Sequence, residues 1–258
     1  MRLGIRARLA AVLLAGLCGG AHAACDTGLA ERMHGKLHPQ RTLDHERAVC
    51  EPWRGMLGRF IVLLPLARPS TDPDVTEYDL DVLVVQQADN GNTERARIVA
   101  RLFEPRALVV EDDRTVAALK VDTARYALAP DIRAFGVRTV VRGTSRADPY
   151  ESERLALYVP RPQDMQLDKV LDGLEIALER GVWDSNCSGD FQTLRGSVSV
   201  TGGTSNGHAD LLLYQTASRS RSSLQGEECV TREQPATFRS TILRFDGKRY
   251  RPPKGATP

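Results

Sequence analysis

Phe60-Ile61-Val62-Leu63-Leu64, an unbroken apolar run ahead of Pro65, has the length and side-chain character of a strand buried on both faces. Tyr78, Leu80, Val82 and Val84 then alternate with Asp79, Asp81 and Leu83, which is the period of two that a strand requires. Asp89-Asn90-Gly91 follows, with residues that tolerate the left-handed backbone of a tight turn. Ala96, Ile98, Ala100 and Leu102 alternate beyond it with arginines and a valine, so the segment reads as a β-hairpin.

Downstream, strands are predicted at the short, regular spacing of all-β folds: near Thr115–Val121, Ile132–Arg142, Arg154–Val159, Leu194–Val200, Ala209–Thr216 and Thr237–Phe245. Asp148-Pro149, Gly202-Gly203, Asn206-Gly207 and Asp246-Gly247 are read as the turns between them. Gln166–Arg180 fits two periods. Leu167, Val170, Leu171, Leu174 and Leu178 match a helix packed on a sheet, whereas Leu174, Ile176 and Leu178 match a strand after an Asp172-Gly173 turn. Strand is preferred because the neighbours are strands. The fold class is therefore mainly β, an antiparallel sandwich or propeller-like sheets with a short N-terminal helical segment.

That segment lies upstream. Leu29, Met33 and Leu37 recur every four residues until Pro39 stops them, which predicts a helix. Residues 24–56 are read as a disulfide-clipped N-terminal segment and 57–258 as the β-rich domain. Before them, Arg2, Arg6 and Arg8, the apolar Leu9–Leu17 and the small-x-small Ala21-His22-Ala23 have the layout of an export signal over residues 1–23, too short to span a bilayer. Its removal leaves 235 residues with 32 bases against 33 acids, a net charge of −1, so the apparent basicity of the whole chain is no argument for nucleic acid. No transmembrane segment is expected after cleavage, and the destination is periplasmic or secreted. Only five of the 35 basic residues are lysines: Lys36, Lys120, Lys169, Lys248 and Lys254. The arginines alternate with acids along the chain and do not gather into a patch.

Export also places the cysteines in an oxidising compartment. Cys18 leaves with the leader, and Cys25, Cys50, Cys187 and Cys229 remain. The local pairing Cys25 with Cys50 and Cys187 with Cys229 is expected among the three connectivities that four cysteines allow. No pair has the C-x-x-C spacing of a redox or zinc-ribbon site.

Chemistry-bearing residues are sparse. His34 and His38 lie four apart, so one helical face could offer both imidazoles to a metal, with His45 and a carboxylate completing the set. Pro39 works against that geometry, and no H-E-x-x-H pattern supplies a base. The other reading is a solvated polar segment. Asp26-Thr27-Gly28 has the tripeptide of aspartic proteases but no second copy, and it also suits a helix N-cap. Neither G-x-S-x-G nor a phosphate-binding glycine motif occurs. Trp183-Asp184-Ser185-Asn186-Cys187-Ser188-Gly189-Asp190-Phe191 is read as a turn anchored by its aromatic ends, and secondarily as a binding loop in which Trp183, Asp184, Asn186 and Asp190 contact a ligand. Ser218–Ser223, with Arg219 and Arg221, is read as an exposed hairpin edge.

Gly202-Gly203-Thr204-Ser205-Asn206-Gly207-His208-Ala209-Asp210-Leu211-Leu212-Leu213 resembles a degenerate FG-GAP or VCBS repeat, the blade unit of integrin-like β-propellers found in exported bacterial proteins. Ile242–Tyr250 resembles the closing strand and turn of such proteins. The resemblance implies a glycine-centred acidic loop that binds calcium. Asn206, Gly207 and Asp210 match it, but Gly202 and Thr204 stand where carboxylates belong, so no calcium is expected. No cofactor is implied. The leading functional expectation is an exported, non-enzymatic binding or protein-interaction module with a protein or glycan partner in the cell envelope. The alternatives are a metal-dependent hydrolase using the His34, His38 and His45 cluster, or a proteinaceous inhibitor of a periplasmic hydrolase presenting the Trp183–Phe191 loop.

Overall fold

The continuous apolar run lies within a ten-residue strand, β2 (Arg59–Arg68), whose central six residues are all buried. It does not stop at Pro65. The Pro65 carbonyl accepts the Asp44 N–H at 3.0 Å on the outer side of the strand, and the missing proline N–H points to that same side, away from the ladder with residues 77–86. The computed structural model describes residues 28–252 apart from 71, 73, 74, 88–91, 111, 112 and 185. The leader, Cys25, Asp26, Thr27 and the Asp89-Asn90-Gly91 turn lie outside the described residues.

Helix α1 (Leu29–Leu37) is followed by β1 (Val49–Pro52), β2, β3 (Thr76–Gln86), a single 3-10 turn (Thr93–Arg95), β4 (Arg97–Val110), β5 (Arg114–Ala129), β6 (Ile132–Gly143) and β7 (Tyr150–Arg161). The chain continues through β8 (Gln166–Trp183), β9 (Gly189–Ser205), β10 (His208–Gln225), β11 (Glu228–Glu233) and β12 (Thr237–Leu243). The mainly β expectation is borne out. All twelve strands of the described residues belong to one sheet with the path β1-β2-β3-β4-β8-β7-β6-β5, and β9 to β12 extend it from the C-terminal half of β8. The sheet curls into a nearly closed, barrel-like form. Its inner core joins Trp53, Ile61, Leu80, Val82, Val116, Phe135, Val137, Tyr158 and Leu167, residues drawn from both ends of the path.

Two further cores cover the outside. Leu29, Met33, Leu43 and Cys50 pack on Val62, Leu64, Leu83 and Val85, so the outer face of β2 and β3 is buried beneath the N-terminal segment. β1 adds backbone pairing with β2, and this segment is woven into the sheet as well as packed on it. On the opposite wall, Leu211, Leu213, Leu243, Phe245 and Tyr250 cover Leu155, Leu157, Leu171 and Leu174. β10 and β12 thereby form a second layer over β7 and β8.

The burial of both faces of β3 explains why Asp79 and Asp81 are 1% and 0% exposed despite an alternating sequence. Asp79 accepts from Arg41, Arg68 and the Arg106 N–H, and Asp81 receives Arg101 through Nε at 3.0 Å on both oxygens. Carboxylates are tolerated in such places only when paired and hydrogen-bonded.

Helix α1 begins after Gly28, which holds φ 68° and offers no side-chain cap. The strand reading of Gln166–Arg180 holds, with one correction: Asp172-Gly173 is no hairpin turn. Leu155 pairs with Leu174 and Leu157 with Leu171, so β8 carries an extra residue, and Gly173 at φ 58° absorbs the bulge. Gly202-Gly203 likewise lies inside β9, whereas the expected Asn206-Gly207 turn is present, with positive φ at both residues. Ser218–Ser223 is not an edge. It sits within β10, with Phe191 paired to Ser220 on one side and Glu233 on the other.

Candidate functional site

The sheet is weakly joined between β4 and β8. Among the described residues the two strands meet at a single parallel pairing, Arg101 with Gln166. Both strands bulge beside the gap. On β4, Leu80 pairs with Glu104 but Tyr78 with Leu108, which leaves Pro105, Arg106 and Ala107 opposite one residue, with Arg106 at φ 50°. On β8 the bulge is the one at Gly173. Bulges re-aim side chains, and here they leave a cavity of about 210 Å³ open at the seam.

Its walls are aliphatic: Leu80, Leu108, Val110, Val116, Val137 and Ala156. Four of its polar lining residues are joined to one another, and Thr139 and Arg154 complete the polar part of the lining. Tyr158, 2% exposed, donates its hydroxyl to Glu104 Oε1 at 2.7 Å, and Glu104 also pairs with Lys169 across the seam. Lys169 reaches Asp172 at 3.1 Å and lies 5.8 Å from the centre of the Tyr158 ring. Burial and the neighbouring Glu104 carboxylate push the Tyr158 phenol well above its ordinary range. Burial alone would lower Lys169, but Glu104 and Asp172 outweigh it and hold the ammonium above its usual value. Tyr158 therefore stays un-ionised and Lys169 charged at neutral pH, and neither is poised as a base or nucleophile. The set straps the seam and lines the chamber with a connected polar cluster.

At the rim stands Arg154, exposed, between Thr139 of β6 and Glu175 of β8 in the strand register. Among the described residues its guanidinium makes no ion pair or hydrogen bond, and its electrostatic neighbour is Glu175. Glu175 is buried, its Oε2 has no hydrogen-bond partner, and burial raises its pKa against the opposing pull of Arg154 and Arg180.

The histidines do not converge. His34 Nε2 lies 2.8 Å from the Arg41 carbonyl, His38 donates to Asp81 Oδ2 at 2.7 Å, and His45 is exposed with Glu31 at 3.7 Å. Among the described residues no group of three or more His, Cys, Asp or Glu gathers as a metal would need. His38 and Asp81 instead belong to the polar layer beneath the N-terminal segment, where Phe103 lies 5.5 Å from the imidazole.

The Trp183–Phe191 loop is a tight connection between β8 and β9. Asp184 accepts the Asn186 and Ser188 N–H groups at 2.8 Å, Asp190 pairs with Arg221, and the Trp183 and Phe191 rings are 5.9 Å apart. Asp184, Asn186 and Asp190 are exposed. Phe191 borders an open hollow of about 390 Å³ beside Tyr150 and Arg180, but Trp183, Asp184 and Asn186 do not line it. Cys187 is bonded to Cys229, as expected from their proximity in sequence. Cys50 is disulfide-bonded too, and its expected partner Cys25 lies outside the described residues.

Sequence reasoning missed Glu104, Arg154, Tyr158 and Lys169, which come from three separate strands with no motif spacing. Two signals pointed toward them: Lys169 is one of only five lysines, and Pro105 interrupts a strand beside Glu104. Comparison with protein-family models, with curated proteins and with solved structures returns no match. Among the described residues no helix is long and apolar enough to cross a membrane.

Proposed function

We propose that this protein is an exported, non-enzymatic binding module of the periplasm or the cell exterior, and that it takes a small, mainly apolar ligand into the seam cavity. One observation carries this reading: the weakly paired β4–β8 seam opens on a chamber whose lining combines an aliphatic surface with a few polar and charged side chains. That is the ordinary composition of a small-molecule site. At about 210 Å³ the chamber falls below the range typical of drug-sized ligands, which favours a compact or short-chain molecule. The Cys187–Cys229 disulfide agrees with an oxidising compartment and supports the export reading of the leader.

The test is titration of the purified protein with N-phenyl-1-naphthylamine, whose fluorescence rises in apolar surroundings. Wild-type protein is expected to bind it saturably, and Ala156→Leu, which fills the chamber from β7, to lose binding with an unchanged urea midpoint. Ala107→Leu fills it from β4 and serves if the first variant misfolds. Equal binding by a folded, filled variant refutes the assignment.

A further inference from the structure

The chamber's charges are not equally engaged. Glu104 is shared by Tyr158 and Lys169, and Lys169 is shared by Glu104 and Asp172, so this cluster is saturated within the protein. A cationic ligand finds its acids already neutralised there, and an anion placed at Lys169 meets Glu104 and Asp172. Arg154 is the exception, a guanidinium lining the same cavity without a bonded partner among the described residues. Glu175 faces it in register but lies outside ion-pair distance and carries a buried, unpartnered oxygen. Arginine's planar fork matches a carboxylate in two parallel hydrogen bonds.

We infer that the ligand of this cavity is a short aliphatic carboxylate, with its chain against Leu80, Val116 and Val137 and its head on Arg154. The inference rests on the seam cavity being the binding site proposed above. Chain and head follow from separate features: Leu80, Val116 and Val137 offer the chain an aliphatic face, the Tyr158 and Lys169 donors are already engaged by Glu104 and Asp172, and the Arg154 guanidinium, with no ion pair or hydrogen bond among the described residues, favours one negative charge at the rim.

Competition against bound N-phenyl-1-naphthylamine tests it, with octanoate, octanol and octylamine as competitors at constant ionic strength. Octanoate is expected to displace the probe at about tenfold lower concentration than octanol, and octylamine to be no better than octanol. Arg154→Met should remove the preference for octanoate and leave octanol unchanged, whereas Arg154→Lys, which keeps the charge but not the fork, should retain part of it. A preference that survives in Arg154→Met, or octanoate no better than octanol, overturns the ligand class and leaves the cavity assignment standing. Failure of the naphthylamine probe itself to bind overturns both.

Discussion

Removing Glu104 is the most informative single perturbation of the seam, because the carboxylate serves two partners of different kinds. In Glu104→Ala the Tyr158 hydroxyl, on a side chain 2% exposed, loses its acceptor. An orphaned buried hydroxyl costs about 1 to 3 kcal/mol. Lys169 loses its cross-seam partner but keeps Asp172, and its side chain is 23% exposed, so solvent limits that loss to about 1 kcal/mol. The expected destabilisation is about 2 to 4 kcal/mol by urea unfolding with an unchanged slope. Two companion variants separate the contributions. Glu104→Gln retains an acceptor oxygen for Tyr158 and should lose about 1 kcal/mol, whereas Tyr158→Phe placed in Glu104→Ala removes the orphan and should restore about 1 kcal/mol. A Glu104→Ala protein within about 0.5 kcal/mol of wild type, or a double variant that is simply the sum of two losses, would show that the seam is not strapped by this group.

Three other outcomes follow from the same structure. Burial pushes the Asp79 carboxyl up, but the Arg106 N–H and the Arg41 and Arg68 guanidinium groups outweigh it and hold it below the usual range. Such a group contributes stability that is full above the unfolded carboxylate pKa of about 4 and is lost as pH falls through the lower folded value, so Asp79→Asn should cost about 3 kcal/mol at pH 7 and flatten the acid limb of a melting-temperature profile. Gly173→Ala should cost about 1 kcal/mol in urea unfolding, and Gly173→Asn less, because φ is 58° while the space around the position is open. Cleavage mapping without reductant should recover Cys187 joined to Cys229, and replacing both by alanine should cost at most about 4 kcal/mol for a 42-residue separation.

The legible parts of the chain were those whose decisive contacts are local. β2 and α1 followed from runs of apolar residues, and the Asn206-Gly207 turn from its left-handed residues. Asp172-Gly173 misled because a glycine that permits positive φ serves a bulge as well as a turn, and only the partner strand decides which. Ser218–Ser223 looked like an edge because charge and hydroxyls suit solvent, yet β11, with Glu228 and Glu233 at its ends, pairs along it. The seam was invisible for a stronger reason: Glu104 and Lys169 are brought together by a sheet path that inserts β8 beside β4.

Two buried polar groupings among the described residues look alike in composition and differ in whether they leave a charge without an ion pair. Beneath the N-terminal segment, Asp79 and Asp81 receive Arg41, Arg68, Arg101, His38 and the Arg106 N–H, and both aspartates are almost completely covered. A site whose charges are all matched internally offers a ligand nothing that it would not have to break, so this layer acts as an anchor that sets how the segment lies on the sheet. The seam is built from the same residue types but ends in Arg154, which faces an unpartnered Glu175 oxygen and the mouth of an aliphatic chamber. An uncommitted charge beside an apolar hollow gives binding both a chain-burying and a head-pairing contribution, and neither requires a native bond to be lost. That asymmetry, more than the abundance of charged side chains at either place, is what separates a binding surface from a structural one in this fold.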